Sequence, residues 1–165
     1  MSDLTQARLK ELLEYDPDTG LFRWRTARPN GVKPGQFAGS KQLQGYIHIW
    51  VDGVPHKAHR VAWLYVYGEL PSTDIGHIDG NRANNRIGNL RQTNNSQNIA
   101  NSKRRVDNTS GIKGVSFFAP RQRWRARIRH QGRPIFLGHF ATPEEAAAAY
   151  KAAAIKYFAE FARIE

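Results

Sequence analysis

Apolar residues recur at Leu4, Ala7, Leu9, Leu12 and Leu13, roughly one face of a helix, and predict a short helix over 4–14. Turn chemistry in Asp16-Pro17-Asp18-Thr19-Gly20 ends it, and Leu21-Phe22-Arg23-Trp24 follows as a short strand. Residues 30–40 are rich in glycine and proline and predict a surface loop. The clearest local signal covers 45–59. There Ile47, Ile49 and Val51 alternate with Tyr46, His48 and Trp50, and Asp52-Gly53 supplies the positive φ angles of a tight hairpin turn. A helical period returns with Val61, Ala62, Leu64 and Tyr65, closed by Gly68 and Pro71.

From Asp74 to Asn101 the pattern changes. Asparagine recurs at Asn81, Asn84, Asn85, Asn89, Asn94, Asn95, Asn98 and Asn101, among few apolar residues. Asparagine forms helices and strands poorly but serves in turns and as an oxygen donor, so the segment is a loop or a site. The basic, turn-rich stretch from Ser102 to Ser110 then marks a boundary. It divides the chain into a domain over 1–103, a linker over 104–110 and a domain over 111–165.

Three strands are expected in the last part, over 115–118, 123–130 and 135–140, followed by one long helix. Thr142 is a natural N-cap, Pro143 suits the first helical position, and Glu145 completes a Thr-x-x-Glu capping box. The alanines that follow, with Tyr150, Ile155, Tyr157 and Phe158, read as packing residues.

Charge narrows the partner. The chain of 165 residues carries 25 Lys and Arg against 14 Asp and Glu, a formal net charge of +11. Such an excess favours a polyanion. No apolar run approaches the ~18 residues of a membrane span, and no signal pattern opens the chain, so the expected place is the compartment of synthesis. Cysteine is absent, which excludes disulfides and thiolate zinc sites. A metal would need His, Asp, Glu, Asn or water as ligands.

In 123–129 the order Arg-Trp-Arg-Ala-Arg-Ile-Arg puts Arg123, Arg125, Arg127 and Arg129 on one strand face and Trp124, Ala126 and Ile128 on the other. Four like charges on one face repel each other, so a covering polyanion explains them where stability does not. Lys103, Arg104 and Arg105 extend the basic surface. An RNA partner is disfavoured here, because the sheet is expected to lack the exposed aromatic pairs that stack bases.

Two resemblances sharpen this picture. Gly76-His77-Ile78-Asp79-Gly80-Asn81, Asn84-Asn85-Arg86, Gly88-Asn89-Leu90-Arg91 and Ser96-Gln97-Asn98, with the upstream hairpin and His59-Arg60-Val61-Ala62-Trp63, resemble the HNH endonucleases of phages and mobile elements. The resemblance implies a ββα-metal fold holding one divalent ion, Mg²⁺ or Mn²⁺ first, with Zn²⁺ or Ni²⁺ as alternatives. It implies His77 as the general base, Asn89 as the residue that fixes the loop and orients the imidazole, and Asn98 as a metal ligand. Gly76 stands where that family has an aspartate ligand, so Asp74 or Asp79 would have to substitute, or the site is weakened or inactive. His59, Arg60 and Arg91 are candidate phosphate contacts, while Asn84 and Asn85 read as loop residues.

Gly111-x-Lys113-Gly114-Val115, Trp124-x-Ala126-x-Ile128, Leu137-Gly138-x-Phe140-x-Thr142 and Glu144-Glu145-Ala146-Ala147 resemble the Apetala-two/ethylene-response-factor DNA-binding domain. That likeness implies a three-stranded antiparallel sheet backed by one helix. The sheet would lie in the major groove with Lys113, Arg125, Arg127, Arg129, Arg133 and Phe136 on the contacting face. The expected fold class is α+β, the nuclease domain preceding this sheet-and-helix domain. The expected partner is double-stranded DNA, for a monomer or weak dimer in the cytoplasm of a bacterial host. Homing or genome packaging would suit that setting. A non-catalytic DNA-binding protein is the alternative.

Overall fold

Thr5 starts the first helix by accepting the Arg8 amide at 3.2 Å, and α1 (Gln6–Leu12) buries Leu9 and Leu12 on the face that the apolar spacing predicts. This is a computed structural model, and it describes residues 4–104 and 106–163. Arg105, one of the expected basic contacts, lies outside the described residues. The chain divides into two compact units, Met1–Thr93 and Asn94–Glu165.

In the first unit, β1 (Leu13–Asp16) and β2 (Leu21–Trp24) form an antiparallel hairpin around the Asp16–Gly20 turn. The stretch expected as a free surface loop is bound to this hairpin instead. The Trp24 amide donates to Gln36 at 2.9 Å and the Ala38 amide to Phe22 at 2.8 Å, and Ala38 is buried. A short helical turn at Pro29–Gly31 leads into this segment, and β3 (Ser40–Lys41) closes it. The glycines permit the bends, but backbone hydrogen bonds along β2 decide the path.

Strands β4 (Ile47–Val51) and β5 (Val54–Lys57) form the expected hairpin, β3 pairing on the far edge of β4. Asp52 and Gly53 have φ of 49° and 79°, as the tight turn requires. Arg8 clamps the Asp52 carboxylate through two hydrogen bonds of 2.9 and 2.8 Å. Helix α2 (Ala58–Tyr67) follows, ending at Gly68 with φ 82°. Its Val61, with Leu9, Leu13, Ile49 and Val51, is among the largest fully buried side chains, which make the centre of this unit's apolar core. The asparagine-rich segment opens with β6 (Asp74–His77), antiparallel to β7 (Leu90–Thr93), the two being joined by a long loop.

The second unit begins with α3 (Asn95–Asn101), capped by an unforeseen box. Asn94 accepts the Gln97 amide at 2.9 Å, and the Gln97 side chain accepts the Asn94 amide at 2.8 Å. The division therefore falls before this helix, whereas the sequence placed it after residue 103. Ala100 gives the physical reason, since it is buried in the second unit's apolar core with Tyr150 and Phe158.

Strands β8 (Val115–Phe118), β9 (Arg123–His130) and β10 (Arg133–Phe140) form an antiparallel sheet in the order β10-β9-β8. Helix α4 (Pro143–Phe158) packs on the sheet. Thr142 caps it through the Glu145 amide at 3.2 Å. The Glu145 carboxylate departs from the expected capping box and accepts the amide of Ala141, one residue earlier, at 3.0 Å. In β10 the register slips between Phe136 and Gly138, so that Phe136 faces Arg127 while His139 faces Arg125. Gly138 sits at φ 138°, a backbone state that side-chain-bearing residues rarely adopt. Among the described residues no helix is long and apolar enough to cross a membrane.

Candidate functional site

His77 closes β6, is 6% exposed, and meets a side chain that the sequence reading passed over. Its Nε2 lies 3.3 Å from Oδ1 of Asn85, which is 2% exposed. Asn85 also donates its Nδ2 to the Ala83 carbonyl at 3.2 Å, which turns its oxygen towards the imidazole. With that oxygen as acceptor, Nε2 carries the proton and Nδ1 keeps the lone pair. The ring is thereby set as a proton acceptor at Nδ1.

Asn85 is itself held by the β1–β2 hairpin. The Tyr15 hydroxyl donates to the Asn85 carbonyl at 2.7 Å, and the Ile87 amide to Pro17 at 3.3 Å. Gly20, at φ 73°, fits so closely that a Cβ there would lie 2.3 Å from the Arg86 nitrogen and 2.5 Å from the Asn85 carbonyl carbon. Only glycine allows that approach. No spacing rule marks Asn85, and only its burial reveals it.

Asn89 fixes the loop, but at one remove from the imidazole. Its Nδ2 donates to Asp79 at 3.0 Å and to the Asn84 carbonyl at 2.8 Å, while its Oδ1 accepts the Asp79 amide at 3.1 Å. Asp79 further accepts the Asn81 amide and the Asn84 side chain, each at 2.7 Å. Burial works to raise the Asp79 carboxyl, yet donation from Asn84, the Asn81 amide and Asn89 outweighs it and holds the pKa below the ordinary value. Asp79 therefore ties the loop together.

His59 begins α2, and burial takes it away from the surface where a phosphate contact was expected. It is 6% exposed, with its ring 5.0 Å from that of His77 and 5.4 Å from that of Tyr46. Its Nδ1 is buried without a hydrogen-bond partner among the described residues. Burial, reinforced by His77, Lys57, Arg60 and His48, pushes its pKa down to about 3. Burial also lowers the pKa of His77, opposed by Asn85 and Asp79 and assisted by Arg82. Both imidazoles are neutral at pH 7. Lys57 and Arg82 flank the Tyr46 ring, each 4.8 Å from its centre, bringing positive charge to this corner. Arg60 is exposed on α2, and Arg91 stands in β7 opposite Gly76.

Within the first unit, the carboxylates around His77 do not supply the ligands of a divalent ion. Gly76 has no side chain, and Asp79's oxygens already accept three loop donors. Asp74 lies exposed at the far end of β6, opposite Thr93. Among the described residues no three His, Asp or Glu side chains gather in a way that could hold a metal. Asn98 lies in α3, within the second unit.

In the second unit Arg123, Arg127 and Arg129 are exposed, while Ala126 and Ile128 are buried, as the alternation in β9 predicts. Arg125 is half-buried, its guanidinium 5.0 Å from the Phe118 ring centre. Lys103 and Arg104 are exposed. Two expected contact residues are placed differently. Lys113 puts its ammonium on the last carbonyls of α3, 2.6 Å from Ser102 and 2.5 Å from Ala100, because that helix has no basic residue in its own last turn. Desolvation, with Arg163 nearby, pushes its pKa down to about 8. Arg133 pairs with His130, on the face of Ile128 rather than of the arginines. The sheet also carries the rings it was expected to lack. Phe118 and His139 lie 5.2 Å apart, and Phe136, 55% exposed, lies 5.0 Å from His139.

Residues 56–100 match the family model of the HNH endonucleases, a span that takes in α2, β6, the asparagine loop, β7 and most of α3. Over 78 residues the chain is 36% identical to Protein 3.8 of Escherichia phage T7, a match covering 47% of this chain and 64% of that protein. The chain thus spans less than two thirds of that relative's length. No solved structure matches.

Proposed function

We propose that this chain is a DNA endonuclease in which His77 is the general base. The observation that carries the reading is the 3.3 Å contact between His77 Nε2 and Asn85 Oδ1, which leaves Nδ1 able to accept a proton. In phosphodiester hydrolysis the attacking water loses a proton to Nδ1 as its oxygen bonds to phosphorus; the bond to the leaving sugar oxygen breaks, and that oxygen keeps the electron pair and takes a proton from solvent. A lowered histidine pKa keeps the base unprotonated at neutral pH. Lys57 and Arg82 add positive charge near the imidazole pair, which favours an approaching phosphate.

The second unit holds DNA in this proposal, through Arg123, Arg125, Arg127 and Arg129, with Lys103 and Arg104 as further contacts. Its likeness to the Apetala-two type of domain supports that role. Tethering raises the effective concentration of the nuclease site on bound DNA. Similarity to a phage protein supports a phage or mobile-element origin, with action in the host cytoplasm.

A second reading has its own support. Gly76 and the occupied oxygens of Asp79 favour a catalytically weakened chain that binds DNA without cutting it. Supercoiled plasmid incubated with and without Mg²⁺ or Mn²⁺ separates the two. Nicking by the wild type that His77→Ala abolishes establishes the nuclease, and its dependence on added ion reports the metal requirement. Tight binding without nicking, followed by nicking in Gly76→Asp, establishes the weakened site.

A further inference from the structure

We propose that the arginine face of the C-terminal sheet holds single-stranded DNA by stacking an unpaired base on the exposed ring of Phe136, which ends a row formed with His139 and Phe118. The proposal rests on the reading of the second unit as the part that holds DNA, and it names the form of DNA held.

The rings come from both outer strands. Phe118 in β8 and His139 in β10 flank β9, yet their centres are 5.2 Å apart with planes inclined at 30°, so they meet above the central strand. Phe136 continues the row, 5.0 Å from His139. Regular alternation would put Phe136 and His139 on opposite faces, because they are three residues apart. The bulge between Phe136 and Gly138 brings both to the side of Arg125 and Arg127.

Packing accounts for the half-buried Phe118 and His139, but not for Phe136. Helix α4 covers the sheet through Ala126 and Ile128, which lie on the other face, while Phe136 stays 55% exposed. The surroundings suit a polyanion, since no Asp or Glu occurs in β8, β9 or β10 and Arg127 and Arg129 flank the row.

The chemistry favours unpaired bases over a duplex. The arginines alone would serve a duplex groove equally well, and it is the exposed Phe136 ring beside them that distinguishes the two forms. Paired bases are already stacked on one another, so their faces are closed to a flat ring. A single strand offers a free π-face at every base, and aromatic rings beside arginines take both base and phosphate. Arg125 over the Phe118 ring, at 5.0 Å, adds a planar cation that bases also stack upon.

Fluorescence anisotropy on the full chain in EDTA, where ion-dependent cutting is off, tests this. The probes are a labelled mixed-sequence 12-mer as single-stranded DNA, as duplex DNA and as RNA. The expected result is tighter binding of the single strand than of the duplex at equal ionic strength. Phe136→Ala should weaken single-strand binding about tenfold or more and duplex binding by a clearly smaller factor. Phe136→Tyr should restore it. Because Phe136 is exposed, its removal spares the apolar core, and a thermal melt checks this. Duplex binding that exceeds single-strand binding would overturn the stacking and leave the DNA-holding role of the second unit standing. Failure to bind any of the three would overturn both. RNA bound as tightly as single-stranded DNA would overturn the choice of DNA.

Discussion

Asn85 Oδ1 and His77 Nε2 lie 3.3 Å apart in a corner of the first unit where both side chains are almost fully buried. Water competes poorly for either group there, so the asparagine decides which imidazole nitrogen carries the proton. Asn85→Ala should lower the nicking rate by on the order of 10²-fold through loss of orientation, with DNA affinity kept. Single-turnover rates and binding titrations, measured side by side, read the split. Equal loss of rate and affinity would make Asn85 a folding residue only.

The hairpin that holds Asn85 can be probed without touching it. Tyr15→Phe removes a 2.7 Å donor to the Asn85 carbonyl and should cost about 1 kcal/mol of stability. Gly20→Ala should cost more, on the order of 1–3 kcal/mol, because its Cβ meets backbone and its φ is 73°. Denaturant midpoints for the two variants test the order. A neutral Gly20→Ala would mean that the hairpin moves freely away from the loop.

Acid should loosen the first unit earlier than its carboxylates require. The folded pKa of His59 is about 3, below the ordinary histidine value, so the unfolded chain binds a proton there that the folded chain does not. The associated stability is fully present above about pH 6.5 and is lost as pH falls towards the folded pKa, at roughly 1.4 kcal/mol per pH unit. His77 shifts in the same direction. Urea unfolding between pH 7 and 4.5 should therefore show a shallower loss in His59→Gln than in wild type. Parallel slopes would place His59 in contact with solvent.

Lys113 and Arg127 separate structure from contact. Lys113→Ala takes the ammonium from the carbonyls of Ala100 and Ser102 and should cost about 1–3 kcal/mol of stability. The salt dependence of DNA binding should stay unchanged. Arg127→Ala should do the reverse, reducing the log–log salt slope by about 0.7 on a single strand or about 0.9 on a duplex for one lost phosphate contact, with little effect on melting. A changed slope in Lys113→Ala would return that lysine to the DNA surface.

Local pattern made most of the elements legible. The β4–β5 hairpin, α2, the strands of the last sheet and Thr142 as cap all follow from periodicity and turn chemistry. What escaped depends on contacts between distant residues. Residues 30–40 look like loop because their order comes from backbone bonds to β2, which no side-chain pattern encodes. Asn85 looks like its neighbour Asn84, and what sets it apart is burial under distant residues, His77 and, 70 positions away, Tyr15. Lys113 looks like one more cation of a basic chain, although its position is set by carbonyls in a helix before it. The rings above β9 were missed because their shared face depends on a bulge that alternation cannot foresee.

The burial of Ala100 also tells an experimenter where to cut. A fragment beginning at Asn94 keeps α3 with the apolar core that Ala100 shares with Tyr150 and Phe158. A fragment beginning at Arg104, which the sequence would recommend, uncovers that core on one side and leaves Lys113 without the carbonyls it was desolvated to meet. For dissecting this chain, the short asparagine-capped helix is the part that decides whether the second half stands by itself.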